Sequence, residues 1–114
     1  MTGRNHHVNL GVADLGRSSD FYQQHLDFTE LDWPENMVVL QDSGGMDLVL
    51  ENGTPSPSGW HFGFRVDNVD EVEHARAEIE KAGLDTFAHE EINGMLTFKF
   101  RDPDGYVIEI YAYG

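Results

Sequence analysis

The chain repeats itself. His7-Val8-Asn9-Leu10-Gly11-Val12 lines up with His61-Phe62-Gly63-Phe64-Arg65-Val66, and Leu15 with Val69. Further on, Leu48-Val49-Leu50 lines up with Ile108-Glu109-Ile110. Self-similarity at this spacing means that one supersecondary unit is used twice. The pattern within each copy then fixes what the unit is. Val8, Leu10 and Val12 take one face of a first strand, while His7, Asn9 and Gly11 take the other. Asp14 or Ser18 starts a helix with Phe21, Tyr22, His25 and Leu26 roughly on one side, and Asp27 ends it in a left-handed turn. Residues 28–33, 36–41 and 46–51 read as three short strands, separated by turns at 34–36 and 42–45.

After a linker at 52–59, rich in Gly, Pro and Ser, the order restarts. Residues 61–66 are a strand with Phe62, Phe64 and Val66 on its apolar face. A helix capped by Asp70 runs to Ala82, with Val72, Ala75 and Ile79 inward, and Gly83 ends it. Strands follow at 86–88, 95–101 and 106–112. The expectation is a single domain over 1–114, with one module at about 6–52 and a second at about 60–113. Each is strand, helix, strand, strand, strand.

With 114 residues the chain can bury a real core. Its net charge of −14 argues against nucleic acid or an anionic membrane as partner. No run is long enough to span a membrane, and the N-terminus lacks the features of a signal peptide. There is no cysteine, so a cytoplasmic protein is expected, and any metal must be held by His, Asp, Glu or backbone oxygen.

Asp102-Pro103-Asp104-Gly105 is turn chemistry between two strands. In the second strand Glu109 points away from Ile108 and Ile110, so it faces solvent or a cavity. Pseudo-symmetry favours the cavity. Two related modules bring equivalent positions toward a common axis, which gathers His7, His61 and Glu109, with Val49 at the fourth corner. Two imidazoles and a carboxylate suit a divalent transition metal (Fe, Mn, Ni, Zn or Co) and leave coordination positions open. Glu51 shares Val49's face and would take that corner if the register slipped. By alternation Asn9, Gly63, Arg65, Thr97, Lys99 and Tyr111 line the same cavity faces; Asn9, Thr97, Lys99 and Tyr111 are the expected substrate-binding residues. Arg65 and Lys99 would bind a carboxylate or phosphate, or pair with the chain's acids, the reading favoured for Arg65.

Other residues read as structural. His6 faces the surface, His25 packs or caps, and His74 is solvated. His89 opens a loop with Glu90 and Glu91, either as a lid residue or simply in solvent. Glu71, Glu73, Glu78 and Glu80 form a solvated helix face. Trp33 and Trp60 form an apolar wall or cover the core.

The opening His7-Val8-Asn9-Leu10-Gly11-Val12-Ala13-Asp14-Leu15, with Ser18, Phe21-Tyr22 and Leu26-Asp27-Phe28, resembles the vicinal oxygen chelate superfamily of glyoxalases, bleomycin-resistance proteins and extradiol dioxygenases. Its closing signature is similar to Asp102-Pro103-Asp104-Gly105-Tyr106 with Glu109 following. The resemblance implies an α+β fold of two βαβββ modules whose mixed sheet cups a central cavity. It also implies a divalent metal held by His7, His61 and Glu109, a small-molecule substrate and a homodimer. In such a dimer His7 can meet His61 and Glu109 of the partner chain.

Val49 stands where the glyoxalase I pattern has an acid or Gln, and Asp27 replaces the usual glycine. The three-ligand set resembles extradiol dioxygenases and fosfomycin-modifying thiol transferases. The latter have a tyrosine where this chain has Lys99 and an arginine beyond the last strand, so fosfomycin modification is not expected. Extradiol cleavage needs a further histidine, for which His25 and His89 are the candidates. The implied function is metal-dependent lyase, isomerase or dioxygenase chemistry on an oxygen-rich substrate, with no general base assigned. The alternative is a metal-free protein that sequesters a small molecule.

Overall fold

The computed structural model describes residues 6–31 and 35–114, and of His6 the backbone only. The expectations for residues 1–5, Trp33, Pro34 and the His6 side chain lie outside the described residues. The chain forms two compact units that divide between Ser56 and Pro57. Each holds one helix and one four-stranded mixed sheet, which makes the fold α+β with paired βαβββ modules.

The first module runs β1 (His6–Val12), α1 (Leu15–Leu26), β2 (Thr29–Leu31), β3 (Met37–Gln41) and β4 (Met46–Asn52). Its sheet order is β1-β4-β3-β2, with β1 and β4 parallel and the other pairs antiparallel. Alternation sorts β4 cleanly: Met46, Leu48 and Leu50 are buried while Asp47, Val49 and Glu51 are half-buried on the other face. Helix α1 packs on β3 and β4 and buries Phe21 and Tyr22. Phe28, expected in β2, precedes that strand and joins the core beside Tyr22. Asp14 caps α1 by accepting the Arg17 N–H at 3.0 Å, and Asp27 ends it at φ 56°, as its position suggests.

The second module repeats this order: β5 (His61–Arg65), α2 (Val69–Lys81), β6 (Thr86–Ile92), β7 (Met95–Arg101) and β8 (Val107–Tyr113). Its sheet order is β5-β8-β7-β6. Phe98, Phe100, Ile108, Ile110 and Ala112 are buried, with Val72 and Ile79 from α2. Each large apolar side chain removed from water there contributes about 1.5–3 kcal/mol.

The second module also departs from expectation at its helix cap and in β6. Asn68, not Asp70, caps α2, accepting the Glu71 N–H at 2.9 Å. Asn68 answers to Asp14 in the repeat, and Asp70 already lies in the first helical turn, where its charge favours the helix dipole. Strand β6 extends to Ile92 rather than ending at Ala88. A bulge between Phe87 and Glu90, with Ala88 at φ 52°, interrupts the register but not the strand.

The turns repeat as closely as the strands. Asp42 Oδ1 accepts the N–H groups of Gly44 and Met46 at 3.0 and 2.8 Å. Asp102 Oδ1 accepts those of Asp104 and Tyr106, both at 2.9 Å. Each turn closes on a glycine with positive φ, Gly45 at 90° and Gly105 at 89°. The Asp-Pro-Asp-Gly stretch therefore works as a buried aspartate organising the hairpin that aims β8.

Candidate functional site

In the second module three rows of side chains cross the face of the sheet away from α2. His61, Val107 and Arg101 lie side by side on β5, β8 and β7. Gly63, Glu109, Lys99 and Phe87 form the next row, and Arg65, Tyr111, Thr97 and Glu90 the third. Glu109 sits at the middle of this face with its side chain 14% exposed.

The two oxygens of Glu109 have different partners. The Thr97 hydroxyl, fully buried, donates to Oε2 at 2.6 Å, and Lys99 Nζ lies 3.6 Å from the same oxygen. His61 Nε2 lies 3.3 Å from Oε1. The structure thus brings together His61, Thr97, Lys99 and Glu109. Gly63 makes room for the carboxylate: a Cβ there would stand 3.3 Å from Glu109 Cβ and 3.3 Å from the Tyr111 ring. Tyr111 in turn packs edge-on against Tyr113 at 6.2 Å.

His7 occupies the equivalent place in the first module. It pairs in register with Asp47 as His61 does with Val107, and Asn9 pairs with Val49 as Gly63 does with Glu109. Val49 therefore holds the position equivalent to Glu109, and no register slip brings Glu51 there. Glu51 instead accepts from Asn9 Nδ2 at 3.3 Å. His7, Asn9, Met37, Val39, Asp47, Val49 and Glu51 line a cleft of about 330 Å³. Asp47, which accepts from Gln41 Nε2 at 2.9 Å, is a cleft residue that the sequence reading misses. Its alternation with Val49 on β4 is the signal that could have found it.

Could a metal fit? Two ligands bound to one ion at about 2.0–2.2 Å stand about 3.0–3.4 Å apart, from octahedral to tetrahedral geometry. The 3.3 Å between His61 Nε2 and Glu109 Oε1 falls in that range, and Thr97 and Lys99 act on Oε2 alone. Among the described residues no three His, Asp or Glu side chains gather as a complete set. His61 and Glu109 are a pair of candidate ligands.

Within the second module, His74 and His89 lie toward α2 and not beside this pair. His89 lies in β6, not in a loop, and its Nε2 pairs with Glu73 Oε1 on α2 at 2.5 Å. The bulge turns it to the helix side of the sheet. Glu73 and Glu80 also pair with Arg76, and Glu80 accepts from Thr86, so this helix face ties α2 to β6 rather than being merely solvated. His89 holds the Glu73 carboxyl below the usual carboxylate range, with Arg76 adding to the effect, while Thr86 and Arg76 do the same for Glu80. His25 packs edge-on against Phe21 at 4.8 Å, and burial pushes its imidazole below the ordinary 6.5. His74 is exposed. Arg65, expected to pair with acids, stacks over the Tyr113 ring at 4.8 Å.

Residues 4–110 match the family model of the Glyoxalase/Bleomycin resistance protein/Dioxygenase superfamily. The chain belongs to this superfamily. Among solved structures, an integron cassette protein from the mobile metagenome of the Halifax Harbour sewage outfall is 26% identical. The match covers 98% of this chain and 99% of that one, at a TM-score of 0.85. A possible glyoxalase from Bacillus cereus is 25% identical over 91% of this chain and 94% of that one, at a TM-score of 0.78. An antibiotic binding protein from Streptomyces shares the fold, at 22% identity, 95% and 93% coverage and a TM-score of 0.80. No curated protein sequence matches this chain. The superfamily contains lyases, dioxygenases and antibiotic-binding proteins, and its members commonly use divalent metals. No described helix is long and apolar enough to cross a membrane.

Proposed function

We propose that this member is a divalent-metal-dependent enzyme of the vicinal oxygen chelate type acting on a small oxygen-rich substrate. The observation that carries the reading is the 3.3 Å approach of His61 Nε2 to Glu109 Oε1 on a half-buried sheet face. His61 and Glu109 would hold the metal, and His7, the counterpart of His61 in the repeat, would supply the third ligand from the same or a second chain of a homodimer. Held by these residues, a divalent cation would supply Lewis acidity toward a substrate oxygen, and with Fe or Mn the capacity to engage dioxygen.

The chain's own residues have separable tasks. Thr97 fixes the Glu109 rotamer through Oε2 and so keeps Oε1 directed at His61. Lys99 places a positive charge beside the carboxylate, where it can stabilise an oxyanion developing on the substrate. Tyr111 and Asn9 would complete the contacts to substrate, each lying on the face that carries its module's histidine.

A second reading rests on the same contact. Lys99 and Glu109 also make an ion pair, with His61 beside the carboxylate, without any metal, as suits a protein that binds and sequesters a small molecule. Thermal unfolding with added Mn, Fe, Co, Ni or Zn separates the two. The enzyme reading expects at least one metal to raise the Tm of the native protein and to leave that of His61→Ala unchanged. No shift with any of the five metals favours the sequestering protein.

A further inference from the structure

We propose that the cleft beside His61 is a carboxylate-binding subsite, where Arg101 takes the carboxylate of a small organic anion and Trp60 takes its apolar body. This names a substrate class for the site above, and it rests on that reading for placing the reacting oxygens at His61 and Glu109. The cleft has a volume of about 430 Å³; Pro57, Trp60, His61, Arg101 and Val107 are among its lining residues.

Register gives the subsite its dimensions. His61 and Arg101 flank Val107 on neighbouring strands, so their backbones lie two strand spacings apart, about 10 Å. Val107 is the floor between them. An aryl-substituted hydroxy acid spans that gap, with its carboxylate toward Arg101 and its ring toward Trp60 and His61.

Arg101 is set for an anion. Its guanidinium stacks over the Phe87 ring at 4.4 Å, which holds the plane and leaves its N–H edges for a ligand. Among the described residues Arg76 and Lys99 have carboxylate partners, whereas no carboxylate pairs with Arg101. Its neighbour Asp102 is buried and spends Oδ1 on the turn. The chain has only seven Lys and Arg at a net charge of −14, yet Arg65, Lys99 and Arg101 share this one sheet face. A single planar guanidinium matches a carboxylate through two parallel bonds, and the helix N-terminus that would help a phosphate is on the opposite face. Trp60, 40% exposed and braced by Tyr106 at 5.4 Å and Phe62 at 6.0 Å, offers a rigid apolar wall.

Calorimetric titration of the intact protein with 3-phenyllactate, its methyl ester and phenyl phosphate tests this. The acid is expected to bind at least about tenfold more tightly than the ester or the phosphate. Arg101→Gln should erase that preference, Arg101→Lys should keep part of it, and Trp60→Leu should weaken acid and ester alike. Equal binding of acid and ester, preference for the phosphate, an unchanged preference in Arg101→Gln, or no binding at millimolar concentration would each overturn the proposal. Metal content, measured on the same samples, keeps the two readings distinguishable. A metal-free protein with Arg101-dependent carboxylate binding sinks the metal reading alone, while a metal-loaded protein indifferent to Arg101 sinks the subsite alone.

Discussion

Residue by residue, position in a strand decides what a polar side chain does. Glu109 is legible as a functional carboxylate because an acid between two buried isoleucines must face the other side of the sheet. Its pairing with His61 follows from the repeat. The use of Thr97, whose buried hydroxyl is committed to Glu109, is not legible in the same way. Nor is the stacking of Arg101 on Phe87, because diagonal contacts depend on rotamers. His25 shows the same dependence on environment. Its imidazole is held below 6.5 by burial against Phe21, so the unfolded chain takes up the proton more readily than the folded one. Stability from this group is full above pH 6.5 and is lost as pH falls through the lower folded value. Between about pH 7 and about pH 5, the Tm of His25→Leu should therefore fall less steeply than that of the native protein. Equal slopes would remove His25 as the cause. The lowered carboxyls of Glu73 and Glu80 act only below 4.5, outside that window.

Among the elements, those with strong periodicity are legible and those that break it are not. The strands β1, β4 and β8 alternate cleanly and β7 does so from Phe98 to Arg101, and their faces are those expected. Strand β6 is different, because the run His89-Glu90-Glu91 looks like a solvated loop and the bulge spoils its period. The bulge has a purpose: it keeps Phe87 and Glu90 on the site face while sending His89 to Glu73 on α2. That pair is partly exposed and contributes at most about 1 kcal/mol. Ala88 bears the backbone cost, since a left-handed alanine is disfavoured by about 1–2 kcal/mol. Ala88→Gly relieves it, offset by the extra chain entropy of glycine, so a gain of about 0.5–1 kcal/mol is expected in urea unfolding. A loss of stability would show that Ala88's methyl packing outweighs its strain.

At the scale of the whole molecule, one module is used twice and specialised once. Caps Asp14 and Asn68, helix-ending Asp27 and Gly83, and turn aspartates Asp42 and Asp102 keep the same tasks in both copies. The repeat is plain from the strand residues alone, and carried through to the helix starts it points to Asn68 rather than Asp70 as the cap. Specialisation falls on the site faces. The second sheet carries Glu109, Lys99 and Arg101, while the first carries Val49, Asp47 and Glu51 beside His7. The proposed function requires that His7, His61 and Glu109 hold a metal. The most direct measurement is elemental analysis of the protein purified without a histidine tag, beside Glu109→Ala and His7→Ala. Up to about one transition-metal ion per chain is expected, lost in both variants, whose folds calorimetry should find intact. A native protein that carries no metal and takes up none of Mn, Fe, Co, Ni or Zn would contradict it, as would a Glu109→Ala variant that keeps its metal.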